Sequence, residues 1–347
     1  MRRAMAAAEV GDDWFGDDPT VNRLQEAAAE TTGKQAALYL PTGTLCNQIA
    51  VHVFARSGRF VVCEANAHVG NTEQASAAAL SGVAFRRVPG PRGLLSAAQV
   101  DAALAADPYD VSVVDLVALE NTHQLGGGTA MPVADVAAVA DVCASRGVPL
   151  YLDGARIFNA AAVTGAAVAD YGAAVTALMF CLSKGLGAPI GSLLAGDAEF
   201  IRQARRLKVL FGAAWRQAGI MAAAGLIALE EGPKRLHTDH ANARRLAEGI
   251  AEIVPGAVDP ETATNIVFVD LAGTGHGAPE WEQRLAAEGV LVTMVPGRIR
   301  MLTHADVTAP DIEAALDAWR RVAAEIGKRP VPLGARDAGV TGHQPAR

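Results

Sequence analysis

Two residues in this sequence have chemistry that the rest of the chain can serve. Asp153 closes the apolar run Val148 to Leu152, and Lys184 follows the apolar run Ala177 to Leu182. Four to eight apolar residues bounded by turn residues fit a strand buried on both faces. In an open α/β sheet, ligands sit beyond the carboxyl ends of such strands, so both side chains are expected to project into one crevice. A carboxylate and an amine held together suit a cofactor that needs both. Pyridoxal phosphate does: its aldehyde condenses with a lysine, and its ring nitrogen stays protonated beside an acid. Singly, each residue has an ordinary alternative. An Asp ending a strand is often a helix N-cap, and a Lys in a glycine-rich loop is often just solvated. Here Ser183 and Gly185 flank the lysine, and Gly187, Pro189 and Gly191 make a loop whose backbone can approach a ligand.

Other candidates fall at comparable positions. Pro41-Thr42-Gly43-Thr44 separates a predicted strand (36–40) from a predicted helix (45–55). Glycine lets the chain fold tightly there, and the N–H groups of a helix start can face a phosphate. The plain alternative is a strand-to-helix turn with Thr44 as N-cap. His68 follows a predicted strand (60–63) and could lie flat over a pyridine ring. His123, in Glu120-Asn121-Thr122-His123, follows a predicted strand (111–119) and is expected on the same side. His237, Asp239 and His240 share helical spacing, which reads as a solvated face rather than a metal site, and no metal is expected.

The elements that must position these residues alternate. Predicted strands at 36–40, 60–63, 83–88 and 111–119 and the two runs above are interspersed with predicted helices at 45–55, 96–105 and 132–146. That rhythm argues βαβ units and a mostly parallel sheet with helices on both faces. Asp18-Pro19-Thr20 reads as a helix start. From Phe200 the chain turns helical as far as Glu231, Gly232-Pro233 reads as a stop, and a long helix follows from about Lys234 to Ile253. The remainder reads strand (265–270), helix (279–288), strands (291–294 and 298–302) and helix (310–326), a small α+β unit. The expected division is an N-terminal segment (1–24), a large domain (25–233), a small domain (234–327) and a disordered tail (328–347).

Composition narrows the class. A chain of 347 residues with 51% hydrophobic and 19% charged residues has material for a large core and two domains. The net charge of −7 argues against a nucleic-acid or anionic-membrane partner. Cys46, Cys63, Cys143 and Cys181 lie far apart with no CxxC pair, so free thiols in a reducing cytoplasm are expected. Apolar runs are broken well short of a membrane span.

The text of the chain resembles the low-specificity L-threonine aldolases, pyridoxal-phosphate enzymes of fold type I. The matching stretches run in order: AEVGDDWFGDDPTVNRLQE, LYLPTGTLCNQIA, LENTHQLGGGT, LYLDGARIFNAA, CLSKGLGAPIGSLLAG, WRQAGIMAAAGLIALE, DHANARRLAEG, TNIVFVD and RMLTHADV. ENTH, LDGAR and CLSKGLG together make the match specific. The resemblance implies an α/β large domain with a mostly parallel seven-stranded sheet flanked by helices, plus a small α+β C-terminal domain. It implies retro-aldol cleavage of threonine, allo-threonine and related β-hydroxy-α-amino acids to glycine and an aldehyde. By the same resemblance Lys184 carries the cofactor's aldehyde, Asp153 pairs with its ring nitrogen and His68 stacks on the ring. Gly43, Thr44, Ser183 and Arg156 help hold the cofactor. Arg156 and Arg300 bind the substrate carboxylate, and His123 is expected near the substrate hydroxyl as the base. Lys208 and Arg216 match positions that reach an active site across a subunit interface, which implies a homotetramer of two tight dimers. The family also carries a Ser-Asp-Thr strand upstream of the AEVGDD loop. This chain starts at Met1 inside the next helix, so that serine and edge strand are expected to be absent. Two alternatives stay open: a β-eliminating lyase or aminotransferase on the same fold, and a catalytically silent binding homologue.

Overall fold

The alternation of apolar runs and helical stretches folds, in a computed structural model that describes residues 1–105, 113–259, 261–295 and 297–326, into two compact units, Met1–Thr238 and Asp239–Arg347. The first unit is built on seven strands: β1 (Ala36–Leu40), β2 (Phe60–Glu64), β3 (Ala84–Val88), β4 (Val114–Glu120), β5 (Leu150–Asp153), β6 (Ala177–Cys181) and β7 (Ser192–Gly196). Their order across the sheet is β1-β7-β6-β5-β4-β2-β3. Strands β3, β2, β4, β5 and β6 run parallel, and β7 alone opposes its neighbours β6 and β1. The carboxyl ends of β1 to β6 therefore all lie on one edge of the sheet. The expectation of a mostly parallel seven-stranded sheet between helices holds.

Strand alternation decides what faces what. Leu150 and Leu152 of β5, with Leu178 and Phe180 of β6, enter one buried cluster. Tyr151, Met179 and Cys181 enter the other, together with Cys46 and Ile49 of the helix Gly43–Phe54. A period of two thus sorts each strand between two helix layers, and each fully buried leucine contributes about 1.5–3 kcal/mol. The same alternation puts Asp153, two residues after Tyr151, on the face covered by Gly43–Phe54.

The second unit has a three-stranded antiparallel sheet ordered β8-β10-β9, from β8 (Ile266–Asp270), β9 (Thr293–Val295) and β10 (Arg298–Leu302). Helices Ala278–Ala287 and Ala309–Ile326 bring Trp281 and Trp319 together at 5.1 Å in its core.

Several readings differ from the structure. β7 was not read as a strand, because Gly191 and Ser192 merge it with the glycine-rich loop. Residues 157–174 form two helices, Ile157–Thr164 and Val168–Ala174, that went unread. Gly232-Pro233 does not stop a helix: one helix of 35 residues runs from Gly219 to Ile253 with Pro233 inside it. Gly232 answers a packing need, since a Cβ there would fall 2.8 Å from Leu186 Cα. The division at Thr238 lies within that helix. Asp239 and His240 are buried, not solvated. Residues 111 and 112 of the predicted fourth strand, and the tail from residue 327, lie outside the described residues.

Candidate active site

The carboxyl edge of the sheet collects acids. Glu64 ends β2, Glu120 ends β4 and Asp153 ends β5, and all three are buried. The parallel register sets Glu120 beside Asp153, and Gly154 N–H donates to Met179 O of β6 at 3.0 Å. Lys184 lies three residues past the end of β6, on the same edge. It is half-buried and makes no ion pair among the described residues. Ser183 beside it is exposed.

Asp153 is held on both oxygens. Oδ1 accepts from Ala155 N–H at 3.1 Å, and Oδ2 accepts from Asn47 Nδ2 at 2.7 Å. An ionised carboxylate has about four lone-pair directions, which leaves room for a ring N–H. Asn47 also donates to Glu73 Oε1, and Glu73 Oε1 lies 2.8 Å from His68 Nδ1. His68 is anchored again through its backbone N–H, which donates to Glu120 Oε2. The hydrogen bond to Glu73 raises its pKa above the ordinary imidazole value; partial burial opposes this, and Asp153, Glu73 and Glu120 add to it. A quarter of the His68 side chain remains exposed.

His123 has a different setting. It is 0% exposed, and Gly93 backs onto its ring so closely that a Cβ there would fall 2.3 Å from it. Its Nδ1 accepts from Gly126 N–H at 3.0 Å, which assigns the proton of the neutral ring to Nε2. Nε2 lies 3.0 Å from Glu64 Oε2 and 3.8 Å from Glu120 Oε2. Burial lowers the pKa of His123, but Glu64, Glu120 and Asp153 outweigh burial, so the net shift is upward. Burial likewise raises Glu64, yet His123 and the N–H groups of Asn66 and Gly90 hold it below the usual carboxylate value. His123 is thus fully buried, with Nδ1 taken by Gly126 N–H and Nε2 beside Glu64.

At the turn after β1 the helix starts at Gly43, and its N-cap is Thr42, not Thr44; Thr42 Oγ1 accepts from Leu45 N–H at 3.1 Å. Gly43 packs on the strands beneath: a Cβ would fall 2.6 Å from Met179 Cε and 2.9 Å from Cys181 Sγ. Only glycine lets this helix start sit so close to the strand ends, with the first N–H groups turned outward. Arg156 is buried and its guanidinium donates to Gln124 Oε1 at 3.3 Å.

Three other expected residues have settings of their own. Lys208 makes a buried ion pair with Asp13 at 2.6 Å and lies over the Trp215 ring. Arg216 pairs with Asp12 at 2.8 Å near exposed Trp14 and Phe15. Arg300 sits in the second unit on β10, half-buried, and burial lowers its pKa.

A family model described as beta-eliminating lyase matches residues 1–274. The "Probable low-specificity L-threonine aldolase 2" of Arabidopsis thaliana is 37% identical over 329 residues, covering 93% of each chain. The low specificity L-threonine aldolase of Escherichia coli K12 is 36% identical over 321 residues, covering 92% of this chain and 94% of that one. The chain belongs to this aldolase family. A solved structure of Leishmania major threonine aldolase has the same fold, with a TM-score of 0.74 at 19% identity, covering 89% of this chain and 91% of that one.

The chain is accordingly a lyase of the pyridoxal-phosphate class, and its residues fit that cofactor. The fit rests on the close-packed helix start at Gly43 and on a buried carboxylate with lone pairs to spare. Reading the sequence missed Asn47, Glu73 and Glu64. Glu64 carried the signal that found Asp153, an acid ending an apolar run. Asn47 carried only a weak one, a polar residue on a helix face that must be buried, and Glu73, in the bend between the helices His68–Asn71 and Ser76–Ser81, carried none.

Proposed function

We propose that this chain, with pyridoxal phosphate bound, cleaves threonine, allo-threonine and related β-hydroxy-α-amino acids to glycine and an aldehyde. The observation that carries the reading is the shared carboxyl edge of β5 and β6, with buried Asp153 at one strand end and Lys184 just past the other. When bound, the cofactor supplies a sink for the electron pair left at Cα as the Cα–Cβ bond breaks. Lys184 would hold its aldehyde carbon. Asp153, buried and hydrogen-bonded, would hold the protonated ring nitrogen by a charge-assisted bond. The helix start at Gly43 and Thr44 would take the phosphate, with Ser183 beside the lysine. Arg156 would orient a carboxylate through its planar fork; the family resemblance implies Arg300 as a second partner. His68 would lie on the ring face, and for the hydroxyl proton we assign it too, in place of the expected His123, because its ring is partly open while His123 is fully buried with Nδ1 taken by Gly126 N–H.

Exposed Trp14, Phe15, Val209, Leu210, Ile220 and Met221 support self-association, and we propose the tetramer implied by the family resemblance. Four buried free cysteines support a reducing, cytoplasmic setting. No helix among the described residues is long and apolar enough to cross a membrane.

The test is product analysis of the purified chain given cofactor and L-threonine. Glycine and acetaldehyde in equal amounts are expected. Ammonia with a keto acid would instead indicate β-elimination, the reaction for which the matching family model is named.

A further inference from the structure

Asn47 lies on the helix Gly43–Phe54, buried on the side that meets the sheet. Its two amide hydrogens go to two different carboxylates, Asp153 Oδ2 and Glu73 Oε1, each at 2.7 Å. The buried Tyr151 hydroxyl donates to Asn47 Oδ1 at 2.8 Å, which fixes which end of the amide faces the acids. Gln48, one residue on, donates to the other oxygen of Glu73. Glu73 in turn meets His68 Nδ1. The result is one unbroken chain, Asp153–Asn47–Glu73–His68, in which acceptor and donor atoms of Asp153, Glu73 and His68 lie within 4.8 Å of one another.

We propose that Asn47 is a positioning residue for the cofactor ring: it ties the carboxylate at the ring nitrogen to the glutamate behind the imidazole on the ring face, so that both contacts are set together. This rests on the roles proposed above for Asp153 and His68. The physical reason is geometric. One neutral amide, its orientation fixed by the Tyr151 hydroxyl, gives an N–H to each carboxylate, so Asp153 and Glu73 are held by the same group. Without that amide Asp153 loses the contact on Oδ2 and keeps the Ala155 N–H on Oδ1, so its carboxyl group is free to turn away from the ring nitrogen. The imidazole also loses its fixed tilt, because the glutamate that orients it is no longer tethered.

The test uses the full chain reconstituted with pyridoxal phosphate. Asn47→Leu keeps the side-chain volume close and removes both donors. It should weaken cofactor binding by about tenfold or more, as loss of an orienting partner commonly does. It should also shift the pH at which the visible band of the bound cofactor changes. Glu73→Gln keeps the shape and removes one charge. It should lower the pH at which the His68 ring protons titrate by NMR, an effect that a purely structural role would not produce, and weaken cofactor binding less. The double variant should lose less than the product of the two single effects, since both break the same chain. A folded Asn47→Leu protein with normal cofactor affinity and an unshifted band would overturn the proposal, as would strictly multiplicative single effects. Should Asn47→Leu not fold, an unmoved His68 titration and an unmoved affinity in Glu73→Gln would overturn it alone. Wild-type protein assayed alongside separates the two readings: no threonine cleavage there refutes the proposed function, whereas cleavage with indifferent variants refutes only the role of Asn47.

Discussion

Two imidazoles sit on one edge of the same sheet, each backed by a glutamate, and their surroundings differ. His68 meets Glu73 at 2.8 Å and leaves a quarter of its side chain open; His123 meets Glu64 at 3.0 Å and is sealed. On His68, Nδ1 faces a carboxylate, and among the described residues no donor is aimed at the ring. On His123, Gly126 N–H points at Nδ1 and, with burial, resists a second proton. A carboxylate partner therefore does not by itself make a histidine reactive. Access and the second nitrogen decide the role, and on both counts His68 suits proton transfer while His123 suits holding the ends of β2 and β4 together.

Lys184→Ala sets the zero of that comparison, because it should abolish both turnover and the visible absorption of the bound cofactor. Full activity without Lys184 would leave neither imidazole a reaction to serve. Asp153→Ala should bind cofactor and lose about 10²–10³-fold in kcat, the scale seen when a preorganised electrostatic partner is removed; near-normal kcat would refute its role. His68→Phe should lower kcat by about 10²-fold, the lower end for an acid–base group, with little change in Tm. His123→Phe should do the reverse, lowering Tm more than kcat. The opposite pattern would return the hydroxyl proton to His123. Gly93→Ala should cost about 1–3 kcal/mol of stability, because the new methyl meets the His123 ring and the backbone there has φ +83°. An unchanged Tm would mean that the ring has room to move.

A pH series sharpens the contrast with the smallest expected effect. The raised pKa of His68 adds stability that is whole below the unfolded imidazole value of about 6.5 and is lost as pH rises through the higher folded value. His68→Phe should therefore lower Tm more at pH 5.5 than at pH 8.5. Glu64 behaves in the opposite sense. Its lowered pKa adds stability that is present above the unfolded carboxylate value of about 4.3 and is lost as pH falls through the folded value. Glu64→Gln should accordingly cost more at pH 7 than at pH 3.5. A flat difference between wild type and variant across the series would remove the corresponding ion pair from the account.

Local pattern was enough to find most strands and the acid and amine that end two of them. The runs ending at Asp153 and Cys181 are short and wholly apolar, and in a parallel sheet that composition leaves few alternatives. Pattern failed where one residue answers a distant need. Gly232 reads as a stop but serves contact with Leu186 inside a continuous helix. Ser192 starts a strand whose partner β1 lies more than a hundred residues earlier in the chain. Asn47 and Glu73 show no local signal strong enough to assign them a role. Their partners come from β5 and from the segment around His68, and nothing within a helical turn records those contacts.

The sequence by itself determined that this chain folds as alternating strands and helices, and it placed a carboxylate and an amine at the ends of two strands, because both follow from short-range apolar runs and their breaks. Tertiary structure decided that the amide of Asn47 ties Asp153 to Glu73 and that Glu64 meets His123. That depends on the strand order β6-β5-β4-β2 and on one helix lying over Tyr151 and Asp153, and so on contacts between residues far apart in the chain that no local pattern encodes.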